Sequence, residues 1–238
     1  MAAKKPQAEQ SQAKRIIESF ALGIGVTSDV AHQVAASVPV HSIEPGVLMP
    51  LLLKTAERCG AMVQGCIYVS TPITTGRRHS GLTGTRAPVQ SSEGESRIRL
   101  GAIEANRRHA LGVTWRVRAA TSATVIEPTS LVDVPGWRQQ DYHHLWTSVL
   151  ERYASSVVFV DGWQFSVGCA IEFATAVRLR LKLMDERMEL LDAGLALSML
   201  QSALLHSGAG PDGEDLQGIA IQSAAKSLES RRISTEGQ

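Results

Sequence analysis

A glutamate inside an apolar helix is the residue of this chain best suited to chemistry. Glu172 stands between Ile171 and Phe173-Ala174, with Ala176 just beyond. A carboxylate is almost never buried without a partner or a task, so the residues around it must supply one. Ahead of it lie Ser166 and Gly168, and before those the run Val157-Val158-Phe159-Val160 leads into Asp161-Gly162-Trp163. Read as strand, glycine turn and helix start, this segment builds a crevice at the carboxyl end of a strand, where open α/β sheets bind ligands. Asp161 and Trp163 fall in the loop over that crevice. The tryptophan offers a face for stacking on a base and the aspartate an acceptor for a sugar or base, while Asp-Gly is equally a plain turn signal. Gly162 and Gly168 suit close approach of the backbone.

The order Ser166-x-Gly168-x-x-x-Glu172 after a hydrophobic strand and short loop resembles the nucleoside 2-deoxyribosyltransferase superfamily, in which Ser or Asp, then Gly, then three residues precede the nucleophilic Glu. The likeness continues in Cys66-Ile67-Tyr68-Val69-Ser70-Thr71-Pro72, which matches the family's opening strand with its aromatic and proline, and in Val125-Ile126-Glu127-Pro128. It extends from about Gly65 to Ser207. What it implies is cleavage of the bond between a sugar C1′ and a nucleobase nitrogen through an oxocarbenium-like transition state, with Glu172 as nucleophile. By the same resemblance Tyr68 stands over the sugar or orients Glu172, and Pro72 joins the substrate site. The departing base needs a proton or hydrogen bond. The family takes it from an Asp near the start of the preceding helix. Here that spacing lands on Ser148, which cannot serve, and the nearest acid at a helix start is Asp141.

In the superfamily, a serine at the position of Ser166 marks the branch that hydrolyses nucleoside 5′-monophosphates. Serine at a helix N-terminus can hold a phosphate together with backbone N–H groups, whereas aspartate would repel it. Ser166 is also an ordinary N-cap residue, and the two roles are compatible. The expected activity is therefore release of free base from a (deoxy)ribonucleoside 5′-monophosphate. Alternatives are an NAD glycohydrolase with Trp163 stacked on nicotinamide, a base-exchanging deoxyribosyltransferase, and a nucleotide-binding protein without catalysis. No cofactor or metal is expected. Family members assemble as dimers or larger oligomers, so a homo-oligomer is expected as well.

Composition agrees with a small-molecule partner. The chain has 238 residues, is 44% hydrophobic and carries a net charge of +1, so it can bury one sizeable core and lacks the global basic field of a nucleic-acid-binding domain. The three cysteines, Cys59, Cys66 and Cys169, have neither metal-ligand spacing nor the even number of a disulfide framework. With no signal-peptide pattern and no apolar run long enough to span a bilayer, a cytoplasmic protein with no membrane partner is expected. Adjacent helical histidines such as His143-His144 diverge by about 100° and find no third ligand at zinc spacing, though one of them can face the pocket. Arg77, Arg78, His79 and Arg86 lie in a glycine-rich stretch after the first strand, where they can fold over a phosphate or form a solvated basic loop.

The elements that must position these residues alternate between strand and helix. Strands are expected at Gly65 to Val69, Thr124 to Ile126, Val157 to Val160 and around Leu181 to Met184, with Met188 to Leu191 as a short pairing partner of the last. Helices are expected at about Arg97 to Trp115, Gln139 to Tyr153, Gly168 to Leu179 and Leu195 to Leu205. This alternation predicts an α/β, Rossmann-like (flavodoxin-like) parallel sheet with helices on both faces. Residues 1–62 read as an N-terminal helical extension with a disordered start, 63–207 as the deoxyribosyltransferase-like domain, and 208–238 as a tail, partly helical or mobile.

Overall fold

The computed structural model describes residues 4–40, 42–59, 65–72, 92–206 and 211–236. Four parallel strands form its centre: β1 (Cys66–Ser70), β2 (Val125–Ile126), β3 (Ala154–Phe159) and β4 (Lys182–Asp185), in the spatial order β2-β1-β3-β4. The helices are α1 (Lys4–Gly23), α2 (Ser28–Ser37), α3 (Pro45–Arg58), α4 (Ser92–Ala120), α5 (Gln139–Tyr153), α6 (Val167–Arg178), α7 (Ala193–His206) and α8 (Pro211–Glu236). This is the Rossmann-like fold expected, with the strand order of the flavodoxin-like branch. From β1 the chain winds outward to β2, then crosses back to place β3 on the other side of β1. The reversal opens a crevice between the carboxyl ends of β1 and β3.

Alternation along the strands sorts side chains onto two faces. Ile67, Val69, Val125, Val158, Val160 and Met184 pack under Val113 and Val117 of α4. Tyr68, Ile126, Val157, Phe159 and Leu183 point the other way, into a larger core built with α1, α3, α5 and α6. Every residue of β1 is buried, as in a central strand covered on both sides. Tyr68 lies beside Ile126 of β2 and Val157 of β3, and Ser70 beside Phe159. An antiparallel bridge between Met184 and Leu190 supplies the short pairing partner of β4.

The two ends of the chain pack onto the core. Helix α1 begins at Lys4 rather than after a disordered dozen residues, and Ile16, Ile17, Phe20 and Ile24 are wholly buried in the main core. It is tied to the chain after β2, where Glu127 N–H donates to the Gly23 carbonyl at 2.6 Å and Val132 N–H to Ser19 Oγ at 3.2 Å. The tail is helix α8, which packs against α6 and buries Gln217, Ala220, Ile221 and Ala224. Gln217 Nε2 donates to the Gln164 carbonyl at 2.9 Å, fastening α8 to the turn that leads into α6. Apolar residues at 220, 221 and 224 follow helical spacing, so burial of that face outweighs the polar composition around it. Helix α4 outruns its expected span at both ends, and β3 starts earlier, at Ala154.

Candidate functional site

Residues two apart on a strand share a face, and on β1 that pair is Tyr68 and Ser70, both fully buried. Across from them, α6 brings Glu172. Tyr68 Oη donates to Glu172 Oε1 at 2.5 Å, and Ser70 Oγ donates to Oε2 at 2.6 Å. Each carboxyl oxygen is thus held by its own hydroxyl. Burial pushes the Glu172 carboxyl from its ordinary 4.5 up to about 7, and the hydrogen bonds from Ser70 and Tyr68 pull in the opposite direction without overcoming it. The side chain keeps part of its surface open. Tyr68 is driven well above the usual phenol range, first by burial and then by the Glu172 charge, so it remains a donor. Cys169 rises to about 12 for the same two reasons and is a neutral thiol. A carboxyl that titrates near neutrality, aligned through both oxygens, is equipped to attack an electrophilic carbon or to carry a proton.

The turn into α6 follows from its sequence. Gly162 takes φ 85°, the left-handed conformation that glycine adopts without penalty, and a short 3₁₀ turn (Trp163–Phe165) follows. Ser166, extended and buried, caps α6, its Oγ accepting from Cys169 N–H at 3.4 Å. Gly168 sits in the first turn. A β-carbon there would lie 3.2 Å from His143 Nε2 and 3.8 Å from Ser166 Oγ, so the missing side chain lets the His143 imidazole of α5 rest on α6. Gly168 and Glu172 are four apart and share a helix face. Burial lowers the His143 pKa from its ordinary 6.5, and Gln139 Nε2 lies 3.1 Å from its Nε2.

Other expected site residues are placed differently. Trp163 is buried in an aromatic cluster, its ring centroid 4.7 Å from Phe159 and 5.3 Å from Phe173, so it fills the core and offers no open face to a base. The apolar surface of its indole is worth more packed than exposed. Asp141 does not reach Glu172. Its carboxylate accepts from Arg138 N–H at 2.7 Å, and the residue lines a separate cavity of about 580 Å³ between α3 and α5, together with His144 and Ser148. Asp141 and His143 are two residues apart on one helix and so point about 200° apart. Asp161 is exposed at the crevice rim, and its N–H donates to Glu186 Oε2 at 3.1 Å. That oxygen also lies 2.8 Å from His109 Nε2. Pro72 is buried just past β1.

Ser70 carries no signal of its own in the sequence beyond its spacing from Tyr68, which on a strand implies a shared face. The basic cluster Arg77, Arg78, His79 and Arg86 lies outside the described residues. Among the described residues no group of three or more His, Cys, Asp or Glu side chains could hold a metal ion, and no helix is long and apolar enough to cross a membrane.

Fold and site together define an α/β protein with a parallel sheet in flavodoxin-like order and a hydroxyl-clamped carboxyl at the switch between β1 and β3. Comparison with protein-family models, curated proteins and solved structures gives no match for the chain.

Proposed function

We propose that this protein cleaves the N-glycosidic bond of a (deoxy)ribonucleoside 5′-monophosphate, with Glu172 as the nucleophile and the free base as product. One observation carries the reading: both oxygens of Glu172 are held by the hydroxyls of Tyr68 and Ser70 at the topological switch of the sheet. As the bond from C1′ to the base nitrogen breaks, its electron pair leaves with the base and positive charge grows on the sugar. A Glu172 oxygen then closes on C1′. The hydroxyls fix the direction of attack while Glu172 is a carboxylate.

A 5′-phosphate is supported by the first turn of α6. Serine at position 166 adds no negative charge there, and helix N-terminal amides attract anions. The Ser166 oxygen accepts from Cys169 N–H, which still leaves its hydroxyl proton to donate to a phosphate alongside the helix amides. Water is favoured as acceptor over a second base, in line with the nucleotide-hydrolysing branch that Ser166 resembles. Burial of Trp163 removes the stacking face that favoured a nicotinamide substrate. The same reading sets the reaction in the cytoplasm, among free nucleotides, with a second copy of the chain closing the crevice.

The test is incubation of the purified protein with nucleoside monophosphates, nucleosides and NAD, with chromatography for free base. Release from monophosphates is expected, and loss of the nucleophile in Glu172→Ala should slow it by about 10³-fold or more. Near-normal turnover by folded Glu172→Ala would overturn the assignment. One observation favours a second reading, a nucleotide-binding protein without catalysis: Asp141 and Ser148 both face the α3–α5 cavity, so neither supplies an acid. Binding of monophosphates without release of base across the panel would select it.

A further inference from the structure

We propose that His143 is the base that activates water to free the sugar from Glu172, a role that rests on the reading just given. The residue belongs to α5, the helix from which an acid–base group was expected, but it occupies the face opposite Asp141. Its Nε2 lies 3.2 Å from where a Gly168 β-carbon would stand, and β-carbons four apart on a helix are separated by 5–6 Å, so Nε2 falls within about 9 Å of the Glu172 β-carbon. A separation of up to that length is what a sugar carbon bonded to Glu172 with a water molecule beyond it requires. His143 is partly exposed, so water reaches it.

Its surroundings favour a neutral ring. On α6 it lies against Gly168, with Ser166 Oγ beside the same position and Glu172 one turn on; its own helix contributes Gln139, while Asp141 and His144 turn toward α3. Desolvation and the positive end of α6 both disfavour imidazolium. Gln139 Nε2 lies 3.1 Å from His143 Nε2; in the tautomer with its proton on Nδ1, Nε2 accepts from that amide and is the nitrogen able to take a proton from water. Gln139 is exposed and readily exchanged for water.

The step balances as follows. A lone pair of the water oxygen attacks C1′, and the bond from C1′ to the Glu172 oxygen breaks with its electrons returning to the carboxylate. The water proton passes to His143 Nε2, the hydroxyl stays on the sugar, and the imidazolium later loses its proton to solvent.

This role separates the two halves of the reaction. In rapid-quench measurements with a nucleoside monophosphate, His143→Asn and His143→Ala should release the first equivalent of base at close to the wild-type rate. Steady-state turnover should fall by about 10²-fold, and intact-mass spectrometry should find a sugar phosphate on the protein. Added imidazole should restore turnover of His143→Ala. His143→Gln, closer to the ring in size, is a second variant expected to show the same phenotype, and it decides the matter if the smaller replacements fail to fold. Folded variants that turn over like wild type, or whose first turnover falls as far as steady state without imidazole rescue, would overturn the role of His143 while leaving Glu172 untouched. A wild type that releases no base from any monophosphate would overturn both.

Discussion

Glu172→Gln should stabilise the protein at alkaline pH while destroying its proposed activity, and the size of the effect follows from the buried carboxyl. The folded protein keeps the Glu172 proton up to about pH 7, whereas the ordinary carboxyl of an unfolded chain releases it near 4.5. Between those values the folded state binds more protons, so stability falls as pH rises. The contribution is fully present below the unfolded value and is lost progressively until the pH passes the folded one. The total loss is about 3 kcal/mol, of which about 2.5 kcal/mol falls between pH 5 and pH 8. Glutamine keeps the shape and removes the titration. Its one oxygen satisfies only one of the two hydroxyls, which adds an offset of about 1 kcal/mol that does not depend on pH. Other groups with raised pKa values, Glu127 among them, titrate in both proteins and cancel. The melting temperature of Glu172→Gln relative to wild type should therefore rise by about 5–10 °C between pH 5 and pH 8 for a chain of this size. Calorimetry at several pH values measures this directly. Parallel curves for the two proteins would refute the buried, proton-holding carboxyl on which the site rests.

Three further substitutions probe the supports of Glu172. Ser70→Ala removes a donor that favours the ionised carboxyl, so the acidic limb of the kcat/KM profile should move up by roughly one pH unit, and an unmoved limb would deny Ser70 its part. Trp163→Ala should cost about 3–5 kcal/mol in urea unfolding, as expected for a core aromatic, and weaker nucleotide binding with unchanged stability would return the indole to the crevice. Gln217→Ala leaves the Gln164 carbonyl without its donor at the turn into α6, which should cost about 1–3 kcal/mol; a denaturation midpoint equal to wild type would mean that this bond does not hold α8 in place.

How far the sequence could be read depended on whether a residue's neighbours were local. Helix α5 runs from Gln139 to Tyr153 as its apolar spacing and flanking turn residues imply, and the strand, Asp-Gly turn and capped helix around Ser166 were legible because each signal lies within a few residues of the next. Glu172 announced itself by being charged where burial was required. Ser70 did not, because serine carries no such conflict and its partner lies 102 residues away. Trp163 was misplaced for a related reason: a tryptophan after a turn suits a binding loop, and only the nearness of Phe159 and Phe173 in space makes it core. Asp141 is the nearest acid to the expected position at a helix start, yet the helix phase that turns His143 toward α6 turns Asp141 toward α3. That the C-terminal tail is partly helical was legible; its packing was not, because the value of the apolar face of α8 depends on α6.

The electrostatic design of the proposed site lies in what is withheld from Glu172. An Arg or Lys beside the carboxylate would have depressed its pKa and held it ionised at all physiological pH values. Among the described residues the influences that shift it are instead burial and two neutral hydroxyls. A carboxylate so placed carries unspent electrostatic attraction, because its desolvation is only partly offset by the donors that align it. Positive charge arriving on a substrate supplies the missing partner, and in N-glycosidic cleavage that charge is greatest on C1′ and its ring oxygen in the transition state. Stabilisation directed at charge present only at that moment accelerates the reaction without tightening the ground state. The raised pKa and the proposed catalysis are therefore one property: the energy that keeps a proton on Glu172 near pH 7 is the energy available to a developing oxocarbenium ion when the proton is gone. A cation introduced beside the clamp would lower the pKa and quench the attraction together, so its effect on rate and on titration should not be separable.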